Sequence, residues 1–344
     1  MTEPVLVWSM DIDNKPSSKE LMSYVRSISY EESLGKMSKL ELILWNPTVL
    51  NNSATKDIFS RGRQIVVFAG WEKDKYIGAG IIDDLNLSTS NQTLRVTCYD
   101  KGRDLGRDIN QGVYKNTKDS DIAKTLAGKY GLTPAIDETT GVVNRTQHNK
   151  TDYRFLADLA VLNGFVFYVD FDVFKRKWYL NFKKPVYLAQ NSCSLYDYTS
   201  HDSVVDDFSP KVSGEIHKHN KLVLNAFITN ERKDVSLYEM CAGGGTSDTD
   251  ITVEILPNMN FQSIDEAKTF LKGQADIRNQ IYMTAEATVL GDNRTKIGDI
   301  CKWKGLTFKF YGAVLDGEYR IVEFNHLLSP PDKFKTQFKM TRTK

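Results

Sequence analysis

Cysteine is scarce in this chain. Cys98, Cys193, Cys241 and Cys301 are the only four in 344 residues, and no two of them form a CxxC pair. That spacing argues against a clustered metal site and against a disulfide scaffold, and it fits reduced thiols in a cytosolic folding compartment. Long apolar runs are also missing. No stretch approaches eighteen apolar residues, so nothing reads as a membrane-spanning helix. The opening MTEPVLVWSMDIDNKP has no basic segment leading into an apolar one, so no secretory signal is expected. Nor is there a charge excess. Lys and Arg number 45 against 44 Asp and Glu, a formal net charge of +1, which excludes a global field that would recruit nucleic acid or an anionic membrane.

What is present is an ordinary globular composition, 41% apolar and 26% charged, long enough for two or three domains. The first hundred residues read as strands. Leu40, Leu42 and Leu44 alternate with Glu41, Ile43 and Trp45; residues 64–69 form a short apolar run; Leu94, Val96 and Cys98 share one face of a third strand. Gly and Asn/Asp/Ser clusters separate these runs at barrel or sandwich spacing.

Near residue 110 the grammar changes. Asp119-Ser120 is expected to cap a helix carrying Ile122, Leu126 and Tyr130 on one stripe, with Gly131 and Pro134 ending it. Residues 137–150 read as a polar surface loop. Thr151 and Asp152 then open a second helix with Phe155, Leu156, Leu159 and Leu162 inward, and Gly164 stops it. Phe165, Phe167, Val169 and Phe171 alternate along a strand that Trp178, Leu180 and Phe182 answer across the turn Lys175-Arg176-Lys177, a hairpin. A third helix begins at Ser263 with the capping box Ser263-Ile-Asp-Glu266; the stretch Cys241–Asp250 before it reads as a flexible linker.

The two β-rich regions echo one another. Gly62, Gly70, Gly80 and Tyr99 punctuate the first; Gly298, Gly305, Gly317 and Phe338 punctuate the last at similar intervals. This spacing predicts two copies of one β-unit.

Motifs for chemistry do not assemble. Gly78-Ala-Gly80 lacks the third glycine and the following helix of a dinucleotide fingerprint, and Gly243-Gly-Gly245 lacks the Lys-Ser/Thr of a phosphate loop. His217 and His219 would share a strand face and are the best metal candidates, yet Lys218, Asn220 and Lys221 around them suit a solvated strand or turn. His148 sits in a polar stretch. The doublets Asp83-Asp84 and Asp206-Asp207 point to opposite strand faces and make no acid–base pair by themselves. The basic residues Lys175–Lys177 and Lys183-Lys184 suit a solvated hairpin better than a base-stacking surface. No catalytic, cofactor-binding or metal-binding residue is assigned, and the chain is not expected to be an enzyme.

The stretch from Ser120 to Leu132, the polar segment after it, and Asn149 to Phe165 resemble the late control protein D family of phage tails. That family includes baseplate hub proteins and the N-terminal half of the valine-glycine-repeat spike proteins of type VI secretion. The segment Gly317–His326, the turn at Ser329–Asp332, and Phe334, Phe338 and Arg342 are similar to the family's closing hairpin. His326 falls at a familiar position and reads as a strand residue, not a base.

The resemblance implies an α+β, mainly β fold: two related tail-tube-like antiparallel β-barrels with α+β insertions. The first barrel is expected over residues 1–110 and the α+β insertion over 111–204. The second barrel is expected over 205–240 and 283–344, with 241–282 supplying a loop and a helix packed on the insertion. It further implies a structural hub in a virion tail baseplate or injection particle, made in the bacterial cytoplasm. A homotrimer would present six barrels, contact a spike protein on one face and a tail tube protein on the other, and meet baseplate wedge proteins outside. Spike and any lytic enzyme would be separate polypeptides. Two competitors remain: a β-rich module binding glycan or single-stranded nucleic acid, and a metal-dependent hydrolase built on His217 and His219.

Overall fold

A computed structural model describes residues 5–45, 58–71, 75–184, 195–198, 204–212, 221–241, 253–280, 283–292, 296–306, 309–310, 313–331 and 333–343. The expected metal pair His217 and His219, Cys193 and the Gly243–Gly245 linker lie outside these residues.

In chain order the first region holds β1 (Leu6–Ile12), β2 (Lys15–Pro16), α1 (Lys19–Ser23), β3 (Val25–Ser33), β4 (Lys39–Trp45), β5 (Gln64–Trp71), β6 (Lys75–Ser88) and β7 (Thr93–Tyr99). The second holds α2 (Gly102–Arg107), β8 (Ile109–Thr117), α3 (Asp119–Lys129), β9 (Thr133–Ile136), β10 (Val143–Thr151), α4 (Asp152–Leu162), β11 (Val166–Asp172) and β12 (Lys177–Lys183). Next come β13 (Leu195–Asp197), β14 (Val205–Val212), β15 (Lys221–Ile228), β16 (Lys233–Met240), β17 (Val253–Phe261) and α5 (Ile264–Gln280). The last are β18 (Met283–Leu290), β19 (Ile300–Lys304), β20 (Lys309–Phe310), β21 (Ala313–Val314), β22 (Gly317–Ser329) and β23 (Lys333–Arg342).

The fold is mainly β with large antiparallel sheets, as expected. One sheet of thirteen strands runs β14-β18-β23-β22-β3-β4-β7-β6-β5-β1-β2, with β19 branching from β22 and carrying β13. The barrel expectation needs correction in one respect. Among the described residues no ladder closes either half on itself; the halves are joined edge to edge by β22 and β3 and share one apolar core, from Leu6 and Met10 to Phe338 and Met340.

The echo is real at the level of topology. The first half runs β3-β4-β7-β6-β5, the second β14-β18-β23-β22-β19, so the five strands occur in the same chain order and the same sheet order. Registers agree. Ile28 faces Leu42, which faces Val96; Phe208 faces Ala287, which faces Phe338. Irregularities agree as well. The β3–β4 ladder shifts between Val25 and Ser27, and the β14–β18 ladder between Val205 and Asp207. The β6–β7 ladder shifts between Ile82 and Asp84, and the β22–β23 ladder between Ile321 and Glu323. Bulges re-aim a strand locally and are built features of a sheet. The halves differ at the sixth strand, because β1 pairs antiparallel to β5 whereas β13 pairs parallel to β19.

The registers correct the sequence alignment of the echo. Ile65 faces Gly80 while Cys301 faces Tyr319, so Gly80 corresponds to Tyr319, and Gly78 to Gly317. Likewise Cys98, opposite Ile82, corresponds to Met340, opposite Ile321; Tyr99 does not correspond to Phe338.

Two smaller cores lie outside this sheet. The insertion packs α3, α4, β11 and β12 around Leu126, Leu156, Phe167 and Leu180, and it also buries Val66 and Ala79 from the first half. Strand β5 is thus covered on both faces, which is why it reads as a continuous apolar run. Residues 137–150 are not wholly loop. Their second part is β10, paired antiparallel with β8. Strands β15 and β16, expected in the second barrel, instead form a three-stranded sheet with β17, and α5 packs on it through Ala267, Phe270 and Leu271.

Candidate assembly interface

The helix–stop–strand unit at Thr151–Phe171 serves packing. Thr151 caps α4, its Oγ1 accepting from Arg154 N at 3.2 Å. The expected dipole partner Asp152 does more: its buried carboxylate accepts from Lys129 Nζ, Tyr130 Oη and Gln147 Nε2, each at 2.7 Å. Burial alone would raise the Asp152 carboxyl; the Lys129, Gln147 and Tyr130 donors outweigh it and hold the pKa below the ordinary carboxylate value. The helix ends at Asn163, whose Nδ2 donates to Asp119 Oδ2 at 2.8 Å.

The cap of α3 differs from expectation. Lys118 occupies the cap position with no side-chain cap bond. Asp119 is instead committed to Arg145, which donates from Nε at 2.9 Å and Nη2 at 2.7 Å, while Nη2 also reaches Glu266 Oε1 at 2.5 Å. One guanidinium therefore ties α3, β10 and α5 together. The Ser263 cap forms, with Glu266 N donating to Ser263 Oγ at 3.2 Å, but the return bond is shifted by one residue: Glu266 Oε2 accepts from Gln262 N, before the cap, at 2.7 Å. Gly164, at φ +63°, lies against α5, where a Cβ on Gly273 would sit 3.1 Å from the Gly164 Cα. The stop after α4 thus doubles as the seat for α5.

The joint between the two repeated halves is the ladder of β22 with β3, from Glu323 opposite Ser33 to Leu328 opposite Ile28. Phe324, His326 and Leu328 are buried there, with Tyr30 6.1 Å from Phe324 by ring centroid. His326 is a strand residue, as expected. Its Nδ1 lies 2.9 Å from Thr336 Oγ1, and burial lowers its pKa to about 4, so the ring is neutral. Beside the joint, Glu32 of β3 accepts from Tyr30 Oη at 3.1 Å and lies within the electrostatic reach of Asp170 and Asp100, carboxylates that the sequence does not bring together. Asp100 accepts from Ser38 N and Gly102 N at 2.6 Å each. Burial nevertheless raises Asp100 to about 7, and burial with Asp170 beside it raises Glu32.

The remaining candidates stay apart. Asp83 accepts from Arg103 at 2.7 Å and Asp84 from Arg61 at 3.0 Å, on separate partners. Asp206 bridges Lys335 at 2.7 Å, while Asp207 accepts from Ser209 Oγ at 3.1 Å. Gly78 and Gly80 lie within β6, and a Cβ at Gly78 would strike the Tyr30 ring. Arg176 of the basic hairpin turn bridges Asp11 at 3.0 Å. Lys184 N donates to Asp137 Oδ2 at 3.0 Å, and His148 is exposed on β10. Among the described residues no group of three or more His, Cys, Asp and Glu is placed to hold a metal ion, and no helix is long and apolar enough to cross a membrane.

The profile of the family described as Alg8 N-terminal domain matches residues 7–184, just over half of the chain. The chain belongs to the Alg8 N-terminal domain family. A comparison with curated proteins gave no match. Among solved structures the chain is similar to the tail protein from Neisseria meningitidis MC58, at TM-score 0.70 and 10% identity over 98% of this chain and 97% of that one. It is similar to the 43 kDa tail protein of prophage MuSo2 from Shewanella oneidensis, at TM-score 0.65 and 14% identity over 98% of both chains. It is also similar to the E. coli c3393 protein, described as a component of the type VI secretion system resembling T4 tail proteins gp27 and gp5. That match has TM-score 0.60 and 11% identity over 93% of this chain and 74% of that one. The shared fold is that of tail proteins, in keeping with the tail-related resemblance read from the sequence.

Proposed function

We propose that this chain is a structural hub of a phage tail baseplate or of a related contractile injection particle, of the late control protein D kind. Three copies form a ring that meets a sixfold tail tube on one face and a threefold spike on the other, with baseplate wedge proteins outside. The observation that carries this reading is the five-strand unit repeated within one chain with the same order, register and bulges. A chain with two like units offers two like contact surfaces, so a threefold ring presents six of them. The tail proteins that share the fold support the setting. So does the fold shared with the E. coli c3393 protein of the type VI secretion system.

Function on this reading comes from area and symmetry, without turnover. The α+β insertion braces the first half from outside through Val66 and Ala79. The test is to measure the native mass of the purified full chain alone and with its candidate tube and spike proteins. A mass of three chains, retained when the spike joins, is expected. Failure to associate with either tube or spike under any condition would overturn the reading.

A further inference from the structure

We propose that neighbouring copies join by strand pairing between the edge of β6 at residues 85–88 and the edge of β14 at residues 209–212, in the register that β22 and β3 already use within the chain. This rests on the ring reading above and names the surfaces that build it.

The template is internal. In the repeat, β6 corresponds to β22 and β14 to β3, so the β22–β3 ladder is one example of a contact whose second example is absent from a single chain. Carrying the register across places Leu85 opposite Val212, Asn86 opposite Lys211, Leu87 opposite Pro210 and Ser88 opposite Ser209. Both edges are available. Among the described residues, β6 pairs with β5 only as far as Ile81 and continues to Ser88 beside β7 alone, and β14 pairs only with β18.

Exposure follows the same logic. Phe324 and His326 are 3% and 2% exposed beneath β3. Their equivalents Leu85 and Leu87 are 42% and 53% exposed, on a strand end that no further strand pairs among the described residues. Two leucines alternating along an open strand edge suit a partner strand. The contact is head to tail, because β6 of one copy meets β14 of the next, and such contacts make rings when the rotation closes. It would repeat the internal joint, so all joints of the ring would be alike.

One rung differs. Leu34 N donates to Val322 O at 3.1 Å, which by strand alternation turns the backbone groups of Tyr30 toward β22 and those of its equivalent Pro210 outward. Proline has no N–H to give, so the joint between copies lacks one ladder bond that the internal joint has. Proline at an open edge also discourages pairing with unrelated strands.

The test uses the full chain carrying Asn86→Cys and Lys211→Cys together. Both native residues are exposed, and directly opposed strand residues bring Cβ atoms within reach of a disulfide. Mild oxidation should give covalent dimers and trimers and no longer series. A mixture of the two single variants should stop at dimers, and each single variant alone should match the unmodified chain. Glu31→Cys with Asn325→Cys, opposed across the internal joint, should close within one chain and serves as the positive control. Leu87→Lys should weaken self-association at least tenfold with an unchanged melting temperature. Trimers by native mass without disulfide at positions 86 and 211, with the control closed, would overturn this contact and leave the ring intact. A chain that stays monomeric at every concentration and with its spike present would overturn both.

Discussion

Gly62 and Gly298 stand at the same point of two copies of one turn. Their φ angles are +89° and +87°, and their N–H groups donate to Ile82 O and Ile321 O, each at 2.9 Å. The returning bonds match too: Ile82 N to Arg63 O at 2.8 Å, and Ile321 N to Asp299 O at 3.0 Å. A turn that needs a left-handed residue selects glycine twice while the sequence around it drifts.

Substituting either glycine by alanine should therefore cost about the same. Nothing lies within 4 Å of a Cβ built at either position, so no clash enters. The cost is the left-handed conformation alone, about 1–2 kcal/mol. Denaturant unfolding of Gly62→Ala, Gly298→Ala and the double variant should show two similar losses that add, since the sites share no partner. Asparagine at either position should recover part of the loss, because it tolerates positive φ. A loss at one site and none at the other would show that the turns are not equivalent.

This turn also marks how much was legible in the sequence. The glycines announced the repeat, but matching glycine to glycine slid one strand by two residues, because Tyr319 fills the place of Gly80. The core positions hide the kinship by trading volume across strands. Leu42 opposite Val96 becomes Ala287 opposite Phe338, and Leu40 opposite Cys98 becomes Ala285 opposite Met340. Packing depends on the sum across a pair, so single positions lose their likeness. Strand β10 escaped notice because VNRTQHNKT is polar on both faces and carries no period-two signal. The cap at Ser263 was readable because its bonds are local. The Arg145 bridge to Glu266 and the Glu32, Asp100 and Asp170 group were not, because they join elements far apart in the chain.

Arg145→Met should loosen α5 more than its distance in sequence suggests. It removes the donor shared by Asp119 and Glu266, both nearly buried. Breaking a buried ion pair from one side costs about 3–5 kcal/mol, since the stranded carboxylates keep their desolvation. Amide exchange should quicken first in α3 and α5. Adding Asp119→Asn and Glu266→Gln should return a large part of the loss. If the triple variant is no better than Arg145→Met alone, the network is not what holds these helices.

The Gly164–Gly273 crossing should be intolerant of size. Gly273→Ala puts a methyl 3.1 Å from the Gly164 Cα, so the helix must shift by a few tenths of an ångström. Gly273→Val should cost about 1–3 kcal/mol by overpacking, with proteolysis appearing first around α5. A valine variant with wild-type stability would mean that α5 is not seated on the α4 stop.

Two groups beside the β3–β22 joint should give pH slopes of opposite sign. Burial lowers His326 to about 4 from an unfolded value near 6.5, so its contribution is complete above 6.5 and is lost as pH falls through 4. Asp100 is raised by burial to about 7, and Glu32 is raised above the ordinary carboxylate value by desolvation and by Asp170 beside it, so each holds its proton to a higher folded value. Their contribution is complete below the ordinary carboxylate range and is lost as pH rises through those values. Glu32→Gln keeps a side chain that accepts from Tyr30 and removes the titration. Its melting temperature should run close to that of the unmodified chain near pH 4 and exceed it increasingly toward pH 9. His326→Gln should flatten the acid limb and leave the alkaline one unchanged. Parallel melting curves for Glu32→Gln and the unmodified chain across this range would show that Glu32 is already ionised in the folded protein, and that the carboxylates beside the joint hold no proton.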